Sequence, residues 1–116
     1  MPQSFKLVKE KFSEVDDEWQ WTYSCLFVFI FNKKVITQIT ITDHYQQEHP
    51  EITNELILKI LEQRFNGKQS EPTSYLGLRK VFKRETTYLR KRYRFVFWFK
   101  DNTSNHLWIR NCYPID

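Results

Sequence analysis

The chain has 116 residues, with 18 Lys and Arg against 14 Asp and Glu, a formal net charge of +4 and 17% aromatic residues. That length is expected to make one domain with a self-standing core, and the high aromatic content with only two glycines excludes disorder over most of the chain. The longest apolar run, Cys25 to Phe31, is far short of the ~20 residues that cross a bilayer, so no membrane association is expected.

Residues 1–18 read as a polar lead-in that ends acidic at Glu14, Asp16, Asp17 and Glu18. Charge comes early and no apolar run follows it directly, so no secretory signal is expected. Cytoplasmic residence follows as an expectation, with Cys25 and Cys112 reduced and buried. Residues 19–41 read as a β-hairpin. Its first arm, WQWTYSCLFVFIF, is rich in aromatic and β-branched residues. The second, VITQITI, alternates, with Val35, Thr37, Ile39 and Ile41 on one face and Ile36, Gln38 and Thr40 on the other.

At Asp43 the periodicity changes, and residues 43–66 are expected to be helical. Asp43 with Gln46 makes a capping-box pattern that opens a short helix over HYQQEH, which Pro50 ends. Thr53 is the expected N-cap of a second helix, whose apolar stripe is Leu56, Ile57, Ile60, Leu61 and Phe65, with Asn66-Gly67 as its C-cap. This stripe is core. Lys68 to Ser74 is a loop.

Residues 78–114 read as a basic antiparallel sheet. Leu78 to Phe82 is a short strand, Thr86 to Arg90 its continuation or a turn, and Tyr93 to Phe99 a strand. Tyr93, Phe95, Phe97 and Phe99 share one face of that strand, and Arg92, Arg94, Val96, Trp98 and Lys100 the other. A loop over Asp101 to Asn105 leads to a last strand from His106 to Tyr113, with His106 at the surface. The expected fold class is α+β, a small antiparallel β-sheet packed against two helices.

Charge is concentrated in this last third. Between Arg79 and Arg94 stand eight basic residues and one acid, Glu85, so the segment carries +7 while the other 100 residues sum to −3. A local basic patch interleaved with aromatics is the footprint of a polyanion, most often nucleic acid. The plain alternative is a strand edge kept soluble by its lysines and arginines. The expected phosphate contacts are Arg79, Lys80, Lys83, Arg90, Lys91, Arg92 and Arg110, with Tyr88, Trp98 or Trp108 stacking on bases. Arg94 shares a face with Val96 and Trp98, so its charge requires solvent, a carboxylate or a phosphate.

No cofactor is expected, since the glycines stand alone and no phosphate loop or nucleophile elbow is present. No metal site is expected either. His44 and His49, five residues apart, do not stack like an i, i+4 ligand pair, and no cysteine or carboxylate spacing accompanies them. The chemistry compatible with these residue types is metal-independent phosphodiester cleavage. It needs a group to take the ribose 2′-OH proton, a cation for the phosphorane and a proton donor for the leaving oxygen. Histidine, arginine and tyrosine supply those roles.

The segment ITITDHYQQEHPEITNELILKILEQ resembles the opening of compact bacterial toxin-like nucleases, with a strand, a His-bearing helix with an H…HP pattern and a second amphipathic helix. KRYRFVFWFKDN and LWIRNCYP resemble their basic sheet and terminal tyrosine-proline. The group is that of barnase–EndoU–colicin–RelE-like (BECR) ribonucleases, common as toxins of toxin–antitoxin or phage systems. The resemblance spans residues 36 to 114, and the aromatic hairpin before residue 36 lies outside it. It implies a RelE/barnase-like fold and RNA cleaved on the open face of the sheet. His44 and His49 match the helix histidines, as base or acid. Arg84 and Arg94 match the sheet cations that stabilise the phosphorane, and Tyr113 the terminal residue that orients substrate. The resulting expectation is a toxin-like metal-independent endoribonuclease with RNA as partner and a cognate antitoxin protein as a second one. The rival readings are a non-catalytic nucleic-acid-binding module, and an antitoxin- or immunity-type protein-interaction partner.

Overall fold

The computed structural model describes residues 3–43, 48–101 and 103–115. Seven strands account for most of them: β1 (Phe5–Ser13), β2 (Glu18–Phe31), β3 (Lys34–Thr42), β4 (Ser74–Leu76), β5 (Arg79–Tyr88), β6 (Lys91–Phe99) and β7 (His106–Ile115). They form one sheet in the order β1-β2-β3-β7-β6-β5-β4. β3 and β7 run parallel, with Gln38–Ile41 paired to His106–Ile109, and the other neighbours are antiparallel.

This corrects the expected α+β arrangement of a small antiparallel sheet on two helices. The sheet is larger and mixed, and among the described residues one helix, α1 (Asn54–Ile60), is prolonged by a π-helical turn over Leu61–Phe65. The expected first helix falls largely on residues 44–47, outside the described residues, and His44 lies with it. His49 is not helical; its carbonyl accepts the Ile52 N–H at 3.1 Å in a turn leading to α1.

Two further differences have physical reasons. The polar lead-in contains an edge strand, β1, which pairs with β2 from Phe5↔Cys25 to Ser13↔Glu18. Its charged residues Lys6, Lys9, Glu10 and Lys11 are exposed, as suits an edge, and an irregularity between Leu7 and Lys9 breaks the alternation. In β3, Ile36 is buried together with Ile39 and Ile41 although simple alternation places it opposite them. The N–H groups of Thr37 and Gln38 both donate to the Asn105 carbonyl, at 2.8 and 3.2 Å. That bulge advances the side-chain phase by one.

Helix α1 begins where Thr53, in extended conformation, accepts the Leu56 N–H on its side chain at 3.1 Å. At the other end Gly67 takes φ +81°, where a side chain would be strained. Its N–H donates to the Ile30 carbonyl at 2.7 Å, while the Asn66 side chain accepts the Ile30 N–H at 2.9 Å. The helix is thereby fixed to β2. It buries Ile57, Leu58, Ile60, Leu61 and Phe65 against one face of the sheet. There Phe65 meets Phe31, Phe95 and Phe97 with ring centroids 5.0 to 5.7 Å apart, and Phe82 stacks on Phe97 at 5.3 Å. This inner face is the hydrophobic core. A second bulge, with Phe97 opposite Ile109 but Val96 opposite Asn111, brings Leu107, Ile109 and Cys112 all onto it.

Among the described residues no helix covers the opposite face. Even so, Glu18, Gln20, Thr40, Thr42 and His106 are buried there. Asp16 and Leu76, next to the two outer edges of the sheet, line one cavity, so the sheet is curled around this open face. The curl shelters polar side chains that a flat sheet would leave in water. Among the described residues no helix is long and apolar enough to cross a membrane.

Candidate nucleic-acid interface

Strand register decides which basic residues share the open face. Arg84 pairs with the fully buried Phe95, and Glu85 pairs with Arg94, so Arg84 and Arg94 stand on opposite sides of the sheet. Arg84 sits over the Phe65 ring at 5.3 Å and donates to the Gln69 carbonyl at 3.2 Å and to Ser70 Oγ at 2.8 Å. Burial lowers its pKa, and its Nε–H is buried without a partner among the described residues. It ties the loop after α1 to the core. Arg84 and Arg94 are not brought to one phosphate site.

Arg94 does come together with two other candidates, Tyr113 and His49. Arg94 donates to Glu85 at 2.5 and 3.1 Å and to the Tyr113 hydroxyl at 3.3 Å. His49 stacks on the Tyr113 ring, with centroids 6.4 Å apart and planes 19° from parallel. The carboxylate expected as one possible partner of Arg94 is Glu85, which also accepts from Arg92 at 2.9 Å. Hydrogen bonding with Arg94 holds the Glu85 carboxyl below its ordinary range and raises the Arg94 guanidinium in turn.

Further along the open face, Trp98 of β6 lies directly opposite Trp108 of β7. The Arg79 guanidinium sits 4.6 Å from the Trp98 ring centre, and Lys100 Nζ 5.9 Å from that of Trp108. Arg79 is oriented by a two-pronged contact with Asp101, at 2.8 and 3.2 Å, which lowers the Asp101 pKa. Arg110 is held by the nearly buried Glu18 at 2.9 Å. These residues, with Asp16 and Leu76, line a cavity of about 440 Å³. A second cavity of about 370 Å³ shares Lys100 and Trp108 and extends towards Lys9 and Lys11 of β1. Together the two present five cations against three carboxylates.

His106 forms part of the second cavity. The reading of His106 as a surface residue is corrected, since its ring is buried and bonded through Nε2 to Thr40 Oγ1 at 2.7 Å, which meets Thr22 Oγ1 at 2.8 Å. Burial, helped by the charge of Lys100, depresses its pKa to about 4, so the ring is neutral at pH 7. It serves as a fixed hydrogen-bonding group.

The remaining expected phosphate contacts are dispersed. Lys83 is exposed on the open face beside Glu85, while Lys80 stands on the inner side with Phe82. Arg90 occupies the tight turn between β5 and β6 with φ 69°, next to the exposed Lys91. Tyr88 is buried on the inner face and is not placed to stack on a base. The groups that sequence reasoning missed are Lys9, Lys11, Gln20, Thr22, Gln38 and Thr40. Lys9 and Lys11 belong to the charged lead-in that hides β1, and the signal for the other four was polar alternation in β2 and β3, which reads as an ordinary solvated face until the sheet is seen to curl. Both cysteines are free, and burial pushes the Cys25 thiol up to about 12 and Cys112 higher still. Among the described residues no group of three or more His, Cys, Asp or Glu could hold a metal ion. Comparison of the chain with protein-family models, curated proteins and solved structures finds no match.

Proposed function

We propose that the protein binds single-stranded RNA along the open face of its sheet. The observation that carries this reading is the directly opposed Trp98–Trp108 pair, with Arg79 and Lys100 over its rings, in a groove where cations outnumber carboxylates. Aromatic side chains on a sheet stack unpaired bases, and surrounding cations follow the backbone phosphates. The acid partners of Arg79 and Arg110 orient these cations towards the groove, while Lys9, Lys11, Lys83 and Lys100 have no ion pair among the described residues. Those four lysines are the main source of counterion release. If each meets one phosphate, log K should fall with log salt with a slope of about −3, at roughly −0.7 per contact on a single strand.

A second reading, metal-independent cleavage, is favoured by the His49–Tyr113–Arg94 contact. In that reaction His49 takes the 2′-OH proton, the freed oxygen attacks phosphorus and the bond to the 5′-oxygen breaks, that oxygen taking a proton from an acid. Arg94, which donates to the Tyr113 hydroxyl, would stabilise the phosphorane, while Arg84 stands on the other side of the sheet. One experiment separates the readings: end-labelled single-stranded RNA incubated with the protein in EDTA, followed by a gel for fragments and a parallel binding measurement. Salt-sensitive binding with intact RNA is expected. Fragments that vanish in His49→Ala would establish cleavage. Negligible affinity at physiological salt would sink both readings and favour a protein partner, for which Leu26, Val28, Ile30 and Val35 form an exposed apolar stripe on the β2–β3 hairpin.

A further inference from the structure

The polar cavity beside Trp108 is built differently from the rest of the groove. Its floor is a chain of hydroxyls and an imidazole, Thr22–Thr40–His106, in which Thr40 and His106 are buried. Burying such groups carries a free-energy cost unless they are hydrogen-bonded, and the chain satisfies them while fixing their directions. Two amides, Gln20 and Gln38, line the same cavity. Gln20 is 5% exposed and makes one long contact, donating to Glu18 at 3.4 Å, which leaves its carbonyl oxygen without a donor among the described residues. Gln38, at the same cavity, has no side-chain hydrogen bond among the described residues. Trp108 forms one wall and the exposed Lys9, Lys11 and Lys100 the rim.

A planar group with a donor–acceptor edge, attached to an anionic chain, fits these features. An amide offers a donor and an acceptor side by side, matching two adjacent positions on a base edge. An indole provides a stacking surface, and lysines at the rim meet phosphates without entering the pocket. We propose that this cavity receives one unstacked nucleobase of the bound strand and that Gln38, with Gln20 behind it, reads its edge. The proposal rests on the RNA-binding reading and adds base selectivity to it. The Trp98–Trp108 groove holds the strand irrespective of sequence, while the Gln38 pocket discriminates at one nucleotide.

The test compares binding of short oligo-rA, oligo-rC and oligo-rU at one salt concentration by the wild-type protein, Gln38→Leu and Gln38→Glu. The wild type should favour one base over the least favoured by about tenfold, within the range a two-point base contact provides. Gln38→Leu should bring the three affinities within about twofold, while the salt slope, set by phosphate contacts, stays the same. Gln38→Glu, which exchanges the amide donor for an acceptor, should change the order of preference. Unfolding midpoints close to wild type will show that the variants fold. RNA binding with the same base preference in all three proteins would overturn the pocket and leave the RNA-binding reading intact. No binding to any oligomer would overturn both.

Discussion

Acidification gives a sharp test of how the open face is built. His106 is buried, bonded to Thr40 and close to Lys100, and its pKa is lowered from 6.5 to about 4. Between those values the unfolded chain holds a proton on this ring that the folded chain does not. The unfolded state binds more protons, so stability must rise with pH across the window and fall as pH drops. At about 1.4 kcal/mol per pH unit, this single group should remove about 3 kcal/mol of stability between pH 6.5 and pH 4. Glu85 and Asp101, whose pKa values arginines lower, act in the same direction but only below the ordinary carboxylate range. The upper part of the window, about pH 6.5 to 4.5, therefore isolates the histidine. Urea unfolding at several pH values, for the wild type and for His106→Gln, measures this difference. The wild type should lose stability over that range, and the variant should lose about 2 kcal/mol less. Parallel pH profiles for the two proteins would refute the buried, neutral His106 and with it the sheltered polar floor.

Other perturbations probe the remaining layers. Phe97→Ala empties a fully buried position ringed by Phe31, Phe65 and Phe82, and denaturant unfolding should show a loss of about 3–5 kcal/mol. Thr53→Ala removes the side-chain acceptor for the Leu56 N–H and should lower stability by about 1 kcal/mol in the same assay. Glu85→Gln releases Arg92 and Arg94 from their shared carboxylate. RNA should bind more tightly and with a steeper salt slope, and an unchanged slope would show that these arginines lie outside the footprint.

The sequence made the inner face legible and the open face only partly so. Tyr93, Phe95, Phe97 and the stripe on α1 declare themselves because apolar residues at strand and helix spacing have one economical place to go. The bulges at Thr37–Gln38 and Arg110–Asn111 are not visible in that pattern, because they depend on which carbonyl lies across from them. β1 was hidden by the very charges that make it a safe edge. The basic run from Arg79 to Arg94 marked a patch, but alternation deals its members to both faces, so Arg84 and Arg94 part company. Composition cannot record that division; register does. His106 and the threonines beneath it were invisible because their burial comes from the curl of the whole sheet.

The central claim is that the open face binds single-stranded RNA. Its most direct test is the anisotropy of a labelled single-stranded RNA between about 50 and 200 mM salt, with wild-type protein and Trp98→Ala/Trp108→Ala. The wild type should show saturable binding with a log–log slope of about −3. The double variant should keep that slope and bind at least about tenfold more weakly, as loss of base stacking requires. Salt-independent binding, or equal affinity of the two proteins, would contradict the account.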